Sequence, residues 1–190
     1  MSKNLYMQKI GEKAKLAAEN LSNLNINKRN AVLKQFNYYL KANAFSVLKS
    51  NKKDIAKAKA KKIKNSKIDR LRLDKKKITE IRNSIKEIIK FKDPLGKIIS
   101  SWQRPNGLII KRVSIPIGVI GIIFESRPNV ACDVASLCFK SGNTAILRGG
   151  SESLNSNIIL LDLFRESLKK IKFDIKEEKN KLQAINIKKF

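Results

Sequence analysis

The sequence predicts an α/β protein in which N-terminal helices are followed by a β-hairpin and then by the first part of a Rossmann-like parallel sheet. Three observations point to it. Apolar residues recur three and four apart as far as Pro94 and fall in short strand-sized runs after it. A Pro-Asn-Gly turn separates the first two of those runs, and from Gly118 onward strand-type and helix-type segments alternate. At 190 residues and 42% hydrophobic, the chain can bury a real core. The same signals divide it into a helical part, 1–96, a hairpin, 97–115, and an α/β half, 116–190.

From Leu5 to about Leu24, the positions Ile10, Ala14, Ala17 and Leu21 share one helix face, and Lys, Glu and Asn take the other. A second helix is expected from near Asn27, with Val32, Phe36, Leu40, Ala44 and Val47 or Leu48 as its buried stripe. Asn51 followed by Asp54 reads as a cap opening a third, short helix through about Ala60, and the lysine run 57–64 then breaks regularity. Ile78, Ile81, Ile85, Ile88 and Ile89 form the cleanest stripe, opened near Asp74 and stopped by Asp93, Pro94 and Gly96.

After Pro94 the runs Lys97 to Gln103 and Leu108 to Ile115 flank Arg104, Pro105, Asn106 and Gly107, a hairpin signature. Strands are then expected at Gly118 to Glu125, Thr144 to Leu147 and Leu182 to Ile187. Helices are expected at Asn129 to Lys140 and from Ser151 to about Lys170. Strand, helix, strand, helix, strand with right-handed crossovers gives half of a doubly wound sheet.

Composition excludes several chemistries within this chain. There is no His, so a histidine base, triad or metal ligand is ruled out, and two Cys cannot make a disulfide framework. The formal charge of +26 invites a nucleic-acid reading. Its excess lies in the first hundred residues and is almost all Lys, accompanied by Asn and Ile rather than by Arg and aromatics, which favours a solvated lysine surface. The longest apolar run, Ile115 to Phe124, is broken by Pro116, Gly118 and Gly121 and falls short of the roughly 20 residues that span a bilayer. The opening MSKNLYMQKIGEKAK has no apolar leader core, and the expected location is the cytoplasm.

Two segments could carry chemistry. In ILRGGSES, residues 146–153, a strand ends in Arg148, Gly149 and Gly150, with Ser151 at a helix start. Glycines let backbone approach a ligand, a helix N-terminus offers free N–H groups, and Arg148 can pair with a phosphate or ribose. The same residues also make an ordinary strand-to-helix turn with a Ser N-cap, and they do not choose between the two readings. Neither GxGxxG nor a P-loop is present. In IPIGVIGIIFESRPNV, residues 115–130, a Gly-punctuated strand runs into Glu125, Ser126, Arg127, Pro128 and Asn129. Arg127 could neutralise an anionic substrate; Asn129 could donate to an oxyanion or cap the next helix, and spacing favours capping. Cys132 and Cys138 lie about 240° apart on a helix and read as small buried residues. A nucleophilic Cys132 would need a depressed pKa.

The segments PIGVIGIIFESRPNV, DVASLCFKSGNTAILRGGSES and DRLRLDKKKI closely resemble the gamma-glutamyl phosphate reductases, or glutamate-5-semialdehyde dehydrogenases, of the aldehyde dehydrogenase superfamily. The resemblance implies the aldehyde dehydrogenase fold and NADPH-dependent reduction of L-glutamyl 5-phosphate to L-glutamate 5-semialdehyde and phosphate, in proline biosynthesis, through a cysteine thioester. It implies Arg148, Gly149, Gly150 and Ser151 as NADPH contacts, Arg127 and Asn129 as groups beside the reacting carbonyl, no metal, and a homo-oligomer joined through the hairpin. Members of that family are about twice as long, as a cofactor domain plus a catalytic domain would be. The expectation is therefore a truncated chain whose catalytic Cys lies beyond its end and which is inactive alone. The rival expectations are a lysine-rich nucleic-acid-binding module and a non-functional remnant.

Overall fold

The structure, a computed structural model, describes residues 3–171 and 185–187. Its first half is helical, as the apolar period requires. Helix α1 (Lys3–Ser22) buries Ile10, Ala14, Ala17 and Leu21. Helix α2 (Ile26–Ala42) opens where the Asn25 side chain accepts the Lys28 N–H at 2.9 Å, and it buries Val32, Leu33, Phe36 and Leu40. The stripe expected to continue through Ala44 and Val47 instead crosses a break. At Asn43 the side-chain amide donates back to the Tyr39 carbonyl at 3.0 Å, competing with the helix, and a new helix, α3 (Ala44–Ala60), begins. Val47 belongs to α3 and is fully buried there.

Asn51 and Asp54 correct a second expectation. They do not open a helix; both are buried in the middle of α3 and serve distant backbone. The lysine run does not end that helix early either, since α3 reaches Ala60, and a further short helix follows, α4 (Asn65–Leu71). Its two buried residues, Ile68 and Leu71, pack with Ala58, too few apolar positions to reveal a period in sequence. Helix α5 (Lys75–Lys90) follows the isoleucine stripe, with Asp74 accepting the Lys77 N–H at 2.7 Å.

Strands β1 (Ile98–Gln103) and β2 (Ile109–Val113) form the expected antiparallel hairpin, Trp102 opposite Ile110. Gly107 supplies the positive φ of 84° at its turn, which closes with an Arg104 N–H to Leu108 carbonyl bond of 2.9 Å. Strands β3 (Val119–Ile123), β4 (Thr144–Arg148) and β5 (Ile185–Ile187) make a parallel sheet in that order, with Ile120 beside Ala145 and Ala145 beside Ile185. The beginning of the expected last strand, from Leu182, lies outside the described residues. Helix α6 (Pro128–Lys140) carries the chain from β3 to β4, and helix α7 (Leu154–Lys170) follows β4 after a 3₁₀ turn at Ser151–Ser153.

One core joins the helical part to the sheet. The Phe164 ring of α7 meets Phe36 of α2 at 4.9 Å and Phe139 of α6 at 5.4 Å, both edge to face. Beside this apolar centre the buried Arg29 donates to the carbonyls of Leu24 and Lys140 and to Asp93 Oδ2 at 2.7 Å. Lys140 donates in turn to Asn30 Oδ1 at 2.6 Å and the Ile89 carbonyl at 2.9 Å. Burial, with Arg29 nearby, lowers the Lys140 ammonium pKa, partly opposed by Asp93. These bonds tie the ends of α5 and α6 to the start of α2. The sheet whose ends form the cleft described next thus stands on a rigid helical base.

Candidate functional site

Parallel strands direct their carboxyl ends to the same side of a sheet, where open α/β folds hold their ligands. Here β3 passes into Glu125, Ser126 and Arg127, and β4 into Arg148, Gly149 and Gly150, with the Phe124 N–H bonded to the Arg148 carbonyl at 3.0 Å. Between these ends and α4 lies a cleft of about 200 Å³. Glu125, Ser126, Arg127, Gly150 and Glu152 line its strand side, and Ile63, Lys67, Arg70 and Leu71 its helix side. Whole small-ligand sites run to about 300–1,000 Å³, so the cleft has room for part of such a ligand.

Of the residues singled out in sequence, Arg127 and Gly150 meet in this cleft. Arg148, Gly149 and Ser151 adjoin it without lining it. Asn129 lies elsewhere, in the first turn of α6 with its side chain bonded to Asp133. It is not the N-cap that its spacing suggests: Arg127 occupies that position, Pro128 stands first in the helix, and no side chain caps it. Both glycines answer to their own neighbours. A Cβ on Gly149 would collide with the Asn157 amide and press on the Phe124 ring, and one on Gly150 would collide with Ser126 Oγ and Glu152 Oε2.

The Ser151 reading is corrected as well. Helix α7 starts at Leu154, and its first amides are not free. Asp54 Oδ1 accepts from the Asn155 N–H at 3.1 Å and from the Asn155 side-chain amide at 2.6 Å. Its other oxygen accepts from the Ser156 N–H and hydroxyl, each at 2.7 Å. A carboxylate from α3 therefore caps α7 and meets its positive end. Next to it, Asn51 donates to the Leu71 carbonyl at 2.9 Å and to Ser156 Oγ at 3.0 Å, and accepts the Leu73 N–H at 2.8 Å. The pair fixes α7 to α3 and, through Leu71, the end of α4.

Glu152, which no sequence pattern singles out, bridges the two strand ends by accepting from Ser126 Oγ at 2.8 Å. Its own backbone N–H and the Ser126 bond hold it below the usual carboxylate range; burial opposes them, and the ammonium groups of Lys67 and Lys61 add smaller help. Lys67 carries no mark in the sequence, and Arg70 stands out only within the segment DRLRLDKKKI. No local signal marks either, because only the packing of α4 brings them to the strand ends. Arg70 lies 3.5 Å from Glu125, with side chains 53% and 79% exposed, so solvent leaves the pair about 0–1 kcal/mol.

Cys132 is fully buried, and its thiol pKa is pushed far up by burial and by Asp133; burial raises that of Cys138 too. Neither is a nucleophile in this state. No group of three or more metal-ligating side chains occurs among the described residues, and no described helix is long and apolar enough to cross a membrane.

No protein-family model matches the chain. It is 45% identical over 159 residues to the gamma-glutamyl phosphate reductase of Clostridium perfringens, 84% of this chain and 38% of that protein. With the gamma-glutamyl phosphate reductase of Caldanaerobacter subterraneus it shares 41% over 185 residues, 92% of this chain and 45% of the other. The chain is homologous to the N-terminal part of gamma-glutamyl phosphate reductases. Crystal structures of gamma-glutamyl phosphate reductases agree: that from Thermotoga maritima superposes with a TM-score of 0.85 at 38% identity over 93% of this chain and 41% of its own. The one from Saccharomyces cerevisiae gives 0.90 at 30% identity over 100% of this chain and 47% of its own. A putative aldehyde dehydrogenase from Bacillus subtilis, TM-score 0.59 at 15% identity, shares the fold. The chain spans between 38% and 45% of the length of these curated reductase relatives.

Proposed function

We propose that this chain forms the first part of the coenzyme domain of a gamma-glutamyl phosphate reductase and that the strand-end cleft takes the adenosine end of NADPH. The observation that carries the reading is the convergence of Arg127, Gly150, Glu152, Lys67 and Arg70 at the carboxyl ends of adjacent parallel strands. The donor set fits the group: Glu152 and Ser126 offer acceptors to ribose hydroxyls, and Lys67, Arg70 and Arg127 offer cations to phosphates. Arg148, Gly149, Gly150 and Ser151 form the adjoining coenzyme contacts. Arg127, which lines the cleft, meets a coenzyme phosphate rather than the substrate's anionic group, and Asn129, outside the cleft in the first turn of α6, is left as the donor to the developing oxyanion.

In the whole enzyme the activity is reduction of L-glutamyl 5-phosphate to L-glutamate 5-semialdehyde with release of phosphate. A cysteine thiolate from the part of the family's length that this chain does not span displaces the phosphate and forms a thioester. When bound, the coenzyme supplies the hydride that reduces this thioester. This chain's residues bind and orient; neither of its thiols reacts. The hairpin, with Ile98, Ile99, Trp102 and Ile109 exposed, supports a homo-oligomer joined along that ribbon. The test is equilibrium titration of the full chain with NADPH, read by nicotinamide fluorescence. Saturable binding that weakens about tenfold in Arg148→Ala is expected. Absence of binding by a chain that unfolds cooperatively would overturn the reading.

A further inference from the structure

We propose that Lys67 and Arg70 of α4 form the subsite for the coenzyme's 2′-phosphate, and so select NADPH over NADH. The inference rests on the coenzyme reading above and names the residues that decide its specificity. Lys67 and Arg70 are three apart on one helix face, and both line the cleft opposite Ser126 and Glu152. Ile68 and Leu71, buried against Ala58, anchor the short helix so that its cationic face is held toward the strand ends.

The Asn155 and Ser156 amides of α7 are taken by Asp54. On the strand side a phosphate meets one cation, Arg127, and the ionised Glu152 beside Gly150. A carboxylate there accepts from a hydroxyl and repels a phosphate, so a bare 2′-hydroxyl would suit Glu152, as in NAD sites. A 2′-phosphate is better met at the opposite wall, where two cations, a point charge and a guanidinium fork, stand together. Arg70's pairing with Glu125 is exposed and gives way readily to a phosphate dianion.

The same cations could in principle hold free phosphate or an acyl phosphate, and the nucleotide pair 2′,5′-ADP and 5′-AMP separates these sources. By calorimetry on the full chain, 2′,5′-ADP is expected to bind at least about tenfold tighter than 5′-AMP. In Lys67→Ala/Arg70→Ala the ratio of the two affinities should fall to about one, and Arg70→Lys should retain part of the preference. Equal affinities in the unaltered chain, or a preference that survives the double substitution, would overturn the inference and leave the coenzyme site standing. Inorganic phosphate displacing 2′,5′-ADP at equal concentration would reduce the cleft to a plain phosphate site and overturn it too. Binding of neither nucleotide would remove the coenzyme reading itself. Lys67 and Arg70 are exposed, so these substitutions leave the core intact.

Discussion

The junction of α3 with α7 and the β1–β2 hairpin depart from ordinary burial in opposite directions. At the junction a carboxylate, Asp54, is 1% exposed, yet both its oxygens are occupied by donors of Asn155 and Ser156. In the hairpin, apolar side chains stand in solvent, with Ile99 56% and Ile109 60% exposed, and neighbouring Ile115 and Ile117 more so. A buried polar group whose bonds are all made within the chain marks a region that is structurally complete. An exposed apolar ribbon marks a surface still awaiting a cover. The candidate coenzyme cleft stands on the complete side.

The comparison breaks most readily at Asp54. Asp54→Ala would leave the buried donors of Ser156 and the half-buried donors of Asn155 without partners, and urea unfolding is expected to show a loss of about 2–4 kcal/mol. Asp54→Asn, which keeps one acceptor, should lose less. A loss below about 0.5 kcal/mol would mean that the junction is not what holds α7. Next in size is Gly150→Ala. Its methyl must displace both Ser126 and Glu152, with an expected cost of about 1–3 kcal/mol in thermal unfolding and weaker NADPH binding.

The hairpin should answer differently. Ile109→Lys is expected to change stability by no more than about 0.5 kcal/mol while abolishing self-association in sedimentation velocity. A large loss of stability would show that the ribbon packs on its own chain. The smallest effect concerns pH. Glu152 has a folded pKa below its ordinary value of 4.5, so its bridge to Ser126 stabilises above that value and is lost as pH falls through the folded one. The Tm of the unaltered chain should therefore decline below about pH 4.5 slightly more than that of Glu152→Gln, and parallel curves would deny the bridge a role.

What sequence could reveal follows the same division. Local patterns were legible: the isoleucine period of α5, the Asp74 cap, the Pro-Asn-Gly turn and the burial of both cysteines are each written within a few adjacent residues. The split at Asn43 was not, because the apolar spacing of Phe36, Leu40, Ala44 and Val47 stays in phase across it. Asn51 and Asp54 misled because an Asx near a helix start usually caps its own helix, whereas these reach Leu73 and Ser156 through the tertiary fold. In the cleft, strand-end logic found Arg127 and Gly150. Lys67 lay hidden in a lysine-rich stretch that composition alone reads as solvated surface.

Hydrogen–deuterium exchange of the full chain with and without saturating NADPH tests most directly whether the strand-end cleft is the coenzyme site. The expected result is protection confined to residues 65–71, 125–127 and 148–153, with the hairpin 98–113 unchanged. Protection of the hairpin alone, or no protection anywhere at saturation, would contradict it.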